Sequence, residues 1–430
     1  MLSLVTTLLA LALSGVLAPA PQAASAEAAV VATLKSPTFT AAMDALTRDF
    51  DRHVDETIKL TEIPSPPFKE AARGKVFLEM LKATGLSDVE MDTEGNVTGL
   101  RRGTSAPGGK LIVFAAHLDT VFPEGTDVKV KRSGTKLSAP GVGDDTRSLA
   151  VLLAYVRALN AANVKTQMDI LFVGNVGEEG LGDLRGTKFL FTKSKYKDRI
   201  AMFISADGTG PGDGITSGAV GSKRYRVTFT GPGGHSYGAF GLVNPAFAMG
   251  EAMAKIGALK VPASPKTTFN VGVVGGGTSV NSIPVSVWME VDMRSESKIE
   301  LDRLEAAFKK IVADAVAAEN AARSTKQGTI TADVKLVGDR PTGATPQNSR
   351  IVEVAAASVR AAGLTPSFGI SSTDSNVPIS LGIPAVTLSA GGIGERAHAL
   401  DEWIDLEKTS SLRGMRMMLV TLLTLAGLQV

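Results

Sequence analysis

Histidine and carboxylate side chains follow several apolar segments of this chain, and side chains of these two types hold metal ions in many proteins. His117 and Asp119 come directly after the apolar run 111–116, which is long and rich enough in β-forming residues to be a strand buried on both faces. Open α/β sheets bind their ligands at the carboxyl ends of such strands. We therefore expect His117 and Asp119 to belong to a site at that edge.

Other ligand-type residues follow predicted strands or precede predicted helices: Asp144, Asp145, Glu178, Glu179, Asp207 and His398. Any one of them alone is more often a helix cap, a turn residue or a solvated charge. If each had only such an ordinary role, their common position at one edge of a sheet would be a coincidence. The pattern therefore predicts a metal-dependent hydrolase. Because the chain has no cysteine, His, Asp and Glu must hold the metal. Such ligands suit Zn²⁺, with Mn²⁺ or Co²⁺ as alternatives.

The length and composition limit the class of protein. A chain of 430 residues is too long for one ordinary hydrophobic core and predicts two domains. Hydrophobic residues make up 44% and charged residues 20%, which is normal for a folded globular protein. The formal net charge is only +2, without a block of Lys or Arg, so we expect no nucleic acid partner.

Residues 1–26 differ in composition from the rest of the chain. The stretch 2–17 is almost wholly apolar, and Ala24-Ser25-Ala26 offers a small-x-small cleavage site, so we expect a secretory signal peptide. No Lys or Arg precedes the apolar run, which a start codon assigned too late would explain. An uncleaved membrane anchor is the alternative, but the run is short for a span and two prolines interrupt its end. We therefore expect an exported protein, periplasmic or secreted, with no stable membrane insertion after signal removal.

Strands alternate with helices on both sides of a central segment with a different pattern. The flanking parts have predicted strands at 110–116, 169–173, 201–205 and 385–389, and predicted helices at 39–60, 71–84, 147–162, 349–362 and 406–428. The central segment has strands at 223–230, 267–274, 285–294 and 329–337, and helices at 245–258 and 299–322. The flanking pattern predicts a mainly parallel sheet wrapped by helices.

The central order is β-α-β-β-α-β, the split ferredoxin-like unit. We therefore predict an α/β fold in which residues 27–220 and 339–430 form a catalytic domain with a mainly parallel sheet. Residues 221–338 would be an inserted α+β ferredoxin-like domain.

Six short motifs occur in an order that resembles a known family. They are His117-Leu118-Asp119-Thr120, Gly143-Asp144-Asp145, Glu178-Glu179-Gly180, Asp207-Gly208, Gly233-Gly234-His235-Ser236 and Ala397-His398. The set is similar to the zinc peptidase superfamily that contains peptidase T, carboxypeptidase G, acetylornithine deacetylase and carnosinase. The resemblance covers essentially the whole chain after the signal segment, including the insert. It implies an enzyme that hydrolyses amide bonds with two divalent metal ions.

The resemblance also implies roles for single residues. Five of them would be metal ligands: Asp144 bridging two ions, His117 and Asp207 at one ion, and Glu179 and His398 at the other. Asp119 would orient the His117 imidazole. Glu178 would be the general base that takes a proton from the attacking water and gives it to the leaving amine.

Four further residues are implied to contact the substrate. His235 would polarise the scissile carbonyl, often at the neighbouring subunit's site in a homodimer formed through the insert; from the residues alone, a loop histidine of no consequence is equally plausible. Asn281 and Arg294 resemble contacts to the substrate carboxylate, which the arginine fork suits, although Arg294 read alone is also an exposed strand-end charge. The segment 371–376 resembles a loop beside the site, which implies that Asp374 lines the pocket. Thr146 stands where the family usually has lysine.

The residue at position 207 bears on the substrate. In this family the corresponding ligand is typically Asp in aminopeptidases and dipeptidases, and Glu in carboxypeptidases and deacylases. Asp207 thus implies a peptidase T-like aminopeptidase or dipeptidase that acts on short peptides. The alternative is a glutamate-type carboxypeptidase or an N-acyl-amino-acid deacylase. A non-catalytic peptide-binding protein is a hypothesis of another class, which replacement of the base or the ligands would favour, yet all of them are present.

Overall fold

Buried strands and the helices that cover them form most of the structure, a computed structural model that describes residues 24–429. The predicted signal segment lies outside the described residues except for its last three. The helices of the described part are α1 (Ala26–Lys35), α2 (Pro37–Arg48), α3 (Phe50–Thr61), α4 (Ala71–Lys82), α5 (Thr146–Ala161), α6 (Arg185–Thr192), α7 (Pro245–Gly257), α8 (Lys298–Ala322), α9 (Arg350–Ala361), α10 (Asn376–Ser380) and α11 (Lys408–Ala426). Among the residues described, no helix is both long and apolar enough to cross a bilayer.

The strands belong to four sheets. They are β1 (Ser87–Met91), β2 (Val97–Arg101), β3 (Leu111–His117), β4 (Lys131–Ser133), β5 (Lys136–Ser138), β6 (Asp169–Asn175), β7 (Ile200–Ala206), β8 (Gly214–Ala219), β9 (Gly221–Thr230), β10 (Gly234–His235), β11 (Thr267–Gly276), β12 (Ser282–Ile283), β13 (Ser286–Ser295), β14 (Thr331–Arg340), β15 (Gly343–Ala344), β16 (Ser367–Ser371), β17 (Ala385–Leu388), β18 (Ile393–Glu395) and β19 (Trp403–Asp405).

The largest sheet is parallel at its centre, which confirms the predicted fold class. Its order is β1-β2-β6-β3-β7-β17-β8-β15, and β16 pairs with β8. Strand β3 runs parallel to both β6 and β7, with His117 opposite Asn175 and Ala115 opposite Ser205. This register brings the carboxyl ends of β6, β3 and β7 to the same level of one sheet edge.

The central strands are held in place by apolar burial on both faces. Every residue of β3 and β6 is buried. The Phe114 ring packs 6.0 Å from that of Phe172 and 5.5 Å from that of Tyr155 on α5, measured between centroids. Such burial favours continuous runs of β-branched and aromatic residues, which is why these strands were visible in the sequence.

A second sheet lies between residues 221 and 340. It is antiparallel with the order β11-β13-β9-β14, and α7 and α8 pack on it around Phe229, Met289 and Phe308. The order β9-α7-β11-β13-α8-β14 is the ferredoxin-like order expected from the sequence. The last strand runs to Arg340, two residues beyond the predicted limit of the insert. Strand β13 alternates between buried and partly exposed residues, so this sheet is half covered.

The structure differs from the sequence prediction at several places, and among them are strands β1, β2, β8, β15 and β16 of the large sheet, which were not predicted. The helical stretch expected over 39–60 is helical but consists of two helices, because Asp49 leaves the helical conformation (φ −87°, ψ 8°) and separates α2 from α3. The apolar periodicity continues across this break and concealed it. A small sheet of order β18-β19-β5-β4 was also missed, since its three-residue strands are too short to show alternation.

The central packing gives a first prediction. Phe114→Ala should lower the free energy of unfolding by about 3–5 kcal/mol, because a fully buried ring is removed from between two others. Urea denaturation monitored by circular dichroism measures this change. Phe368→Ala is the matched control, since that side chain is 46% exposed and its removal should cost far less. Equal losses for the two variants would contradict the assignment of Phe114 to the core.

Candidate active site

Three neighbouring strands deliver ligand-type side chains to one edge of the large sheet. His117 is the last residue of β3, Glu178 and Glu179 follow β6 after a short loop, and Asp207 follows β7 directly. Since β3 lies between β6 and β7, these side chains converge. The sequence prediction that strand ends gather these groups therefore agrees with their positions in the structure.

Asp144 and His398 reach the same place from two loops. Asp144 lies just before α5, and His398 lies in the loop between β18 and β19 of the small sheet. His398 has a φ of 66°, in the left-handed region that residues other than glycine rarely adopt. The loop thus holds the backbone of His398 in a conformation that is locally unfavourable, as is common at functional sites.

The Asp144 carboxylate lies between the two imidazoles. Its Oδ1 is 2.9 Å from His117 Nε2 and its Oδ2 is 3.1 Å from His398 Nε2. His398 Nε2 is also 3.0 Å from Glu179 Oε1, and His117 Nε2 is 4.0 Å from Asp207 Oδ1. Each imidazole therefore has one terminal carboxylate beside it and shares the same central carboxylate with the other.

The electrostatics of this cluster favour added positive charge. Burial alone would lower the pKa of His117, but Asp145, Asp144 and Asp207 raise it well above its ordinary value. Hydrogen bonds to Asp144 and Glu179 raise the pKa of His398 to about 10. Both imidazoles thus attract protons because carboxylates surround them, and the same field attracts metal cations.

The residues present fit divalent metal ions. Ligand-type atoms of His117, Asp144 and Glu179 lie within 4.8 Å of one another, and so do those of His117, Asp145 and Asp207. Burial raises the pKa of Asp207 to about 7, with Asp144 as the next contributor, so a cation beside this carboxylate would favour its ionised form. Nitrogen and oxygen donors at this spacing, without sulfur, are typical of zinc sites in hydrolases.

Asp119 contacts the His117 imidazole, as expected, but through its backbone carbonyl. The His117 ring donates from Nδ1 to the backbone carbonyl of Asp119 at 3.0 Å, whereas the Asp119 carboxylate lies 3.8 Å away. That carboxylate instead accepts from the backbone N–H groups of Glu178 (3.0 Å) and Glu179 (2.8 Å). The carbonyl therefore orients the imidazole, and the carboxylate fixes the loop that carries the two glutamates.

Glu178 is buried and lies beside an arginine that the sequence gave no reason to select. Its Oε1 accepts from Arg340 Nη1 at 3.2 Å, and its backbone carbonyl accepts from Arg340 Nη2. Burial raises the pKa of Glu178 well above its ordinary value, Arg340 opposes this rise, and Glu179 adds to it. A carboxyl group that binds a proton readily is suited to general acid–base chemistry.

Glu402 holds the loop that carries Asp144. Its carboxylate accepts from the backbone N–H groups of Gly141 (2.7 Å), Gly143 (2.7 Å) and Asp144 (3.0 Å). Thr146, which stands where the family has lysine, donates its hydroxyl to the Gly141 carbonyl and closes the same loop. Sequence reasoning missed Glu402, because nothing in its neighbourhood marks a contact with a loop more than 250 residues earlier.

A cleft of about 360 Å³ opens on this cluster. It is lined by Val121, Asp144, Glu178, Glu179, Gly180, Asp207, Arg224, Arg294, Arg340, Ser371, Ser372, Thr373 and His398. Arg294 is thus brought next to the metal-type ligands, as the resemblance implies. Arg224, from the first strand of the insert, is a lining residue that the sequence did not reveal.

Asp374 is not in the cleft, contrary to the expectation. It is fully buried, and its two oxygens accept from Asn175 Nδ2 at 2.7 Å and from Thr187 Oγ1 at 2.5 Å. The segment that carries it does line the cleft, through Ser371, Ser372 and Thr373. The carboxylate itself is turned inward, where it connects the segment to β6 and α6.

His235 and Asn281 lie together on the surface of the insert and outside this cleft. Strand β10, which contains His235, pairs with β12, and the Asn281 carbonyl accepts from the Ser236 N–H at 2.9 Å. His235 Nδ1 accepts from the backbone of Tyr237 and Gly238. In the neutral ring this leaves the proton on Nε2, which has no acceptor among the described residues and is available as a donor.

Comparison with known proteins supplies independent findings. The model of Peptidase family M20/M25/M40 matches residues 113–424. A succinyl-diaminopimelate desuccinylase of Burkholderia vietnamiensis is 26% identical over 250 residues, which span 54% of this chain and 65% of that relative, slightly less than two thirds of its length.

Two solved structures share the fold of this chain. The aminopeptidase PepT of Bacillus cereus gives a TM-score of 0.67 at 24% identity, over 87% of this chain and 98% of its own. The dipeptidase Dug1p of Saccharomyces cerevisiae gives 0.68 at 16% identity, over 90% of this chain and 98% of its own.

The position of Glu402 gives a second prediction. Glu402→Ala should weaken zinc binding by about 10- to 100-fold, because the loop that presents Asp144 loses its three-fold acceptor. Competition with a chromophoric chelator measures the affinity. Glu407→Ala is the matched control, since Glu407 also accepts from two backbone N–H groups, but at the exposed start of α11. A folded Glu402→Ala protein with unchanged affinity would show that the loop holds its shape without this contact.

Proposed function

We propose that this chain, which belongs to peptidase family M20/M25/M40, is a metal-dependent hydrolase of amide bonds that cleaves short peptides as an aminopeptidase or dipeptidase similar to peptidase T. The observation that carries the proposal is the Asp144 carboxylate, each oxygen of which lies close to a different imidazole. Asp207 as a neighbour of His117, rather than a glutamate, supports the choice of peptidase.

Two divalent cations, which we propose to be Zn²⁺ with Co²⁺ or Mn²⁺ as alternatives, would share Asp144. His117 and Asp207 would hold one cation, and Glu179 and His398 would hold the other. When bound, such cations supply Lewis acidity that polarises a carbonyl oxygen and acidifies water. The Nδ1–H of His117 donates to the Asp119 carbonyl, so its Nε2 lone pair is directed at the cluster.

Glu178 would take the proton of the attacking water and return it to the leaving amine. Its carboxylate lines the cleft, and its loop is fixed by the Asp119 carboxylate from one side and Arg340 from the other. Burial raises the pKa of Glu178, which favours the protonated form that donates to the leaving amine. Arg340 keeps this rise limited, which lets the carboxylate form persist as the base.

A deacylase or a glutamate-type carboxypeptidase is the second candidate function. The name of the Burkholderia relative, a succinyl-diaminopimelate desuccinylase, favours it. A dipeptidase, a carboxypeptidase and an N-acyl-amino-acid deacylase all hydrolyse an amide next to a carboxylate, and Arg294 in the cleft is suited to bind that carboxylate in each of these cases. Substrates with a free amino group and substrates with a blocked one distinguish the two candidates.

We further propose a homodimer through the insert and export of the protein. Large apolar side chains are exposed around His235, with Tyr237 at 89%, Phe240 at 86% and Val280 at 102%, and such a patch favours association. A partner subunit would bring the His235 Nε2 proton to a neighbouring cleft, where it would donate to the scissile carbonyl. The apolar N-terminal stretch supports export, and short peptides outside the cytoplasm would be the substrates.

The role of Glu178 gives a third prediction. Glu178→Gln should keep the metal content, because Gln retains the shape of a residue that is not a proposed ligand. It should lower turnover of Ala-Ala and similar peptides by about two to four orders of magnitude, as loss of a general base does. Peptide hydrolysis assays and elemental analysis of the same samples give the two values.

The controls for this prediction are a surface variant and metal removal. Glu79→Gln, at an exposed pair with Lys82, should behave as wild type. Dialysis against a chelator should abolish hydrolysis, and added zinc, cobalt or manganese should restore it. Near-normal turnover of Glu178→Gln would remove this residue from the mechanism, and full activity of verified metal-free protein would refute the proposed function.

The position of His235 gives a fourth prediction. His235→Ala should lower turnover and leave metal content unchanged. Co-expressed, differently tagged His235→Ala and Glu178→Gln subunits should recover part of the activity, because a mixed dimer contains one site with both residues intact. Activity of the doubly purified mixed dimer is the measurement. No recovery in confirmed mixed dimers would show that His235 does not serve the partner's site.

A further inference from the structure

Three arginines line the cleft, and they differ in how far neighbouring carboxylates neutralise their charges. Arg224 lies on β9, Arg294 lies on β13, and Arg340 ends β14, so all three come from the sheet of the insert. They line the same cleft as the carboxylates of the metal cluster. With two divalent cations bound, those carboxylates would be neutralised, and the arginines would decide the charge that a substrate meets.

The charge of Arg340 is already used within the protein. Its guanidinium donates to the Glu178 carboxylate and carbonyl, and to Ser372 Oγ at 3.1 Å. Its side chain is only 4% exposed. Arg340 therefore positions Glu178 and leaves no excess charge for a ligand.

Arg224 and Arg294, in contrast, share a single carboxylate. Asp292 accepts from Arg224 Nε at Oδ1 (3.0 Å) and from Arg294 Nε at Oδ2 (2.8 Å). Two cations beside one anion leave a net positive charge at the cleft. The next cross-strand pair along the same two strands is neutral in charge, because one arginine, Arg226, pairs with one carboxylate, Glu290, at 2.8 Å. The Arg226 guanidinium also stacks on Trp288.

The two arginines also have donors to spare. Asp292 occupies only the Nε of each, and one further group, Arg224 Nη1, donates to the Gly180 carbonyl. The other three Nη groups have no acceptor among the described residues. In a bidentate pair, one carboxylate accepts two N–H donors from a guanidinium. The three free Nη groups are therefore more donors than a single carboxylate would use in this way.

The rest of the lining also fits a charged ligand. Ser371 and Ser372 contribute hydroxyl groups, and among the described lining residues Val121 is the one large apolar side chain. A pocket for an apolar substrate side chain is lined mainly by aliphatic and aromatic residues. This cleft therefore suits a polar group with more than one acceptor.

We propose that Arg224 and Arg294 together select substrates that carry a second carboxylate, so that this enzyme prefers dicarboxylic amides. The inference rests on the proposed function and narrows its substrate class. Arg294 would bind the carboxylate that adjoins the scissile amide, and Arg224 would be the specificity-determining residue for the additional one. The second carboxylate has two possible sources, an acidic C-terminal residue of a peptide or an acyl group that ends in a carboxylate.

Matched substrates test the proposal and separate the two sources. Ala-Glu is compared with Ala-Gln, and N-succinyl-alanine with N-succinamoyl-alanine, so that each pair differs only in the second charge. We expect kcat/KM of the charged member to exceed that of the neutral one by about tenfold or more in one pair, as charge-assisted recognition does. The pair that responds identifies the source.

Variants then assign the preference to Arg224. Arg224→Gln should reduce the charged-to-neutral ratio to near one, and Arg224→Lys should retain part of it. Because the ratio is measured within one variant, any disturbance of the Gly180 loop affects both substrates and cancels. Arg226→Gln is the matched control, since it lies two residues along the same strand with an equivalent cross-strand acid but outside the cleft. Its ratio should equal that of wild type.

A binding measurement keeps the inference separate from the proposed function. Glutarate should bind the zinc-loaded protein about tenfold tighter than its monoamide by calorimetry, with the difference lost in Arg224→Gln and kept in Arg226→Gln. Amide hydrolysis without any preference for the second charge overturns the inference and leaves the proposed function intact. The predicted glutarate preference without hydrolysis of any amide supports the inference and refutes the proposed function. A preference that persists in Arg224→Gln excludes Arg224 as its cause.

Discussion

The shared position of Asp144 between two imidazoles is the constraint on which the site depends. A carboxylate with both oxygens engaged can be neither rotated nor shifted without loss of one side, so its backbone must be fixed. The protein meets this requirement with three N–H groups of the 141–144 loop that converge on Glu402. On the other side, the level carboxyl ends of β6, β3 and β7 fix where His117, Glu179 and Asp207 stand.

Much of the fold was predictable from the sequence because burial on both faces leaves a strong pattern. Strands such as β3 and β6 are continuous apolar runs, and helices such as α5 and α8 have well-marked starts, so their existence and order followed directly. The break at Asp49 and the short strands of the small sheet were not predictable, because neither changes the local apolar pattern. Strand ends beside histidine and acidic residues also sufficed to locate the cluster.

The supporting contacts of the site were beyond sequence reasoning. The Asp119 carbonyl, rather than its carboxylate, orients His117, and a backbone atom carries no sequence signal. Arg224, Arg340 and Glu402 meet the site from distant parts of the chain, and each would be an ordinary surface charge in its own neighbourhood. Asp374, in contrast, was expected to line the cleft and does not. Its segment lines the cleft, while its carboxylate turns inward to Asn175 and Thr187.

The Glu402 contact also affects when the site can form during synthesis of the chain. Glu402 lies 258 residues after Asp144 in the chain, and His398, the partner of the second Asp144 oxygen, lies just before it. Until this late segment has been synthesised, the 141–144 loop lacks its acceptor and Asp144 lacks one of its two neighbours. From residue 207 until His398 is reached, a growing chain thus carries four of the five proposed ligands. If the site holds two metal ions as proposed, their capture in that arrangement would have to wait until His398 and Glu402 have been synthesised.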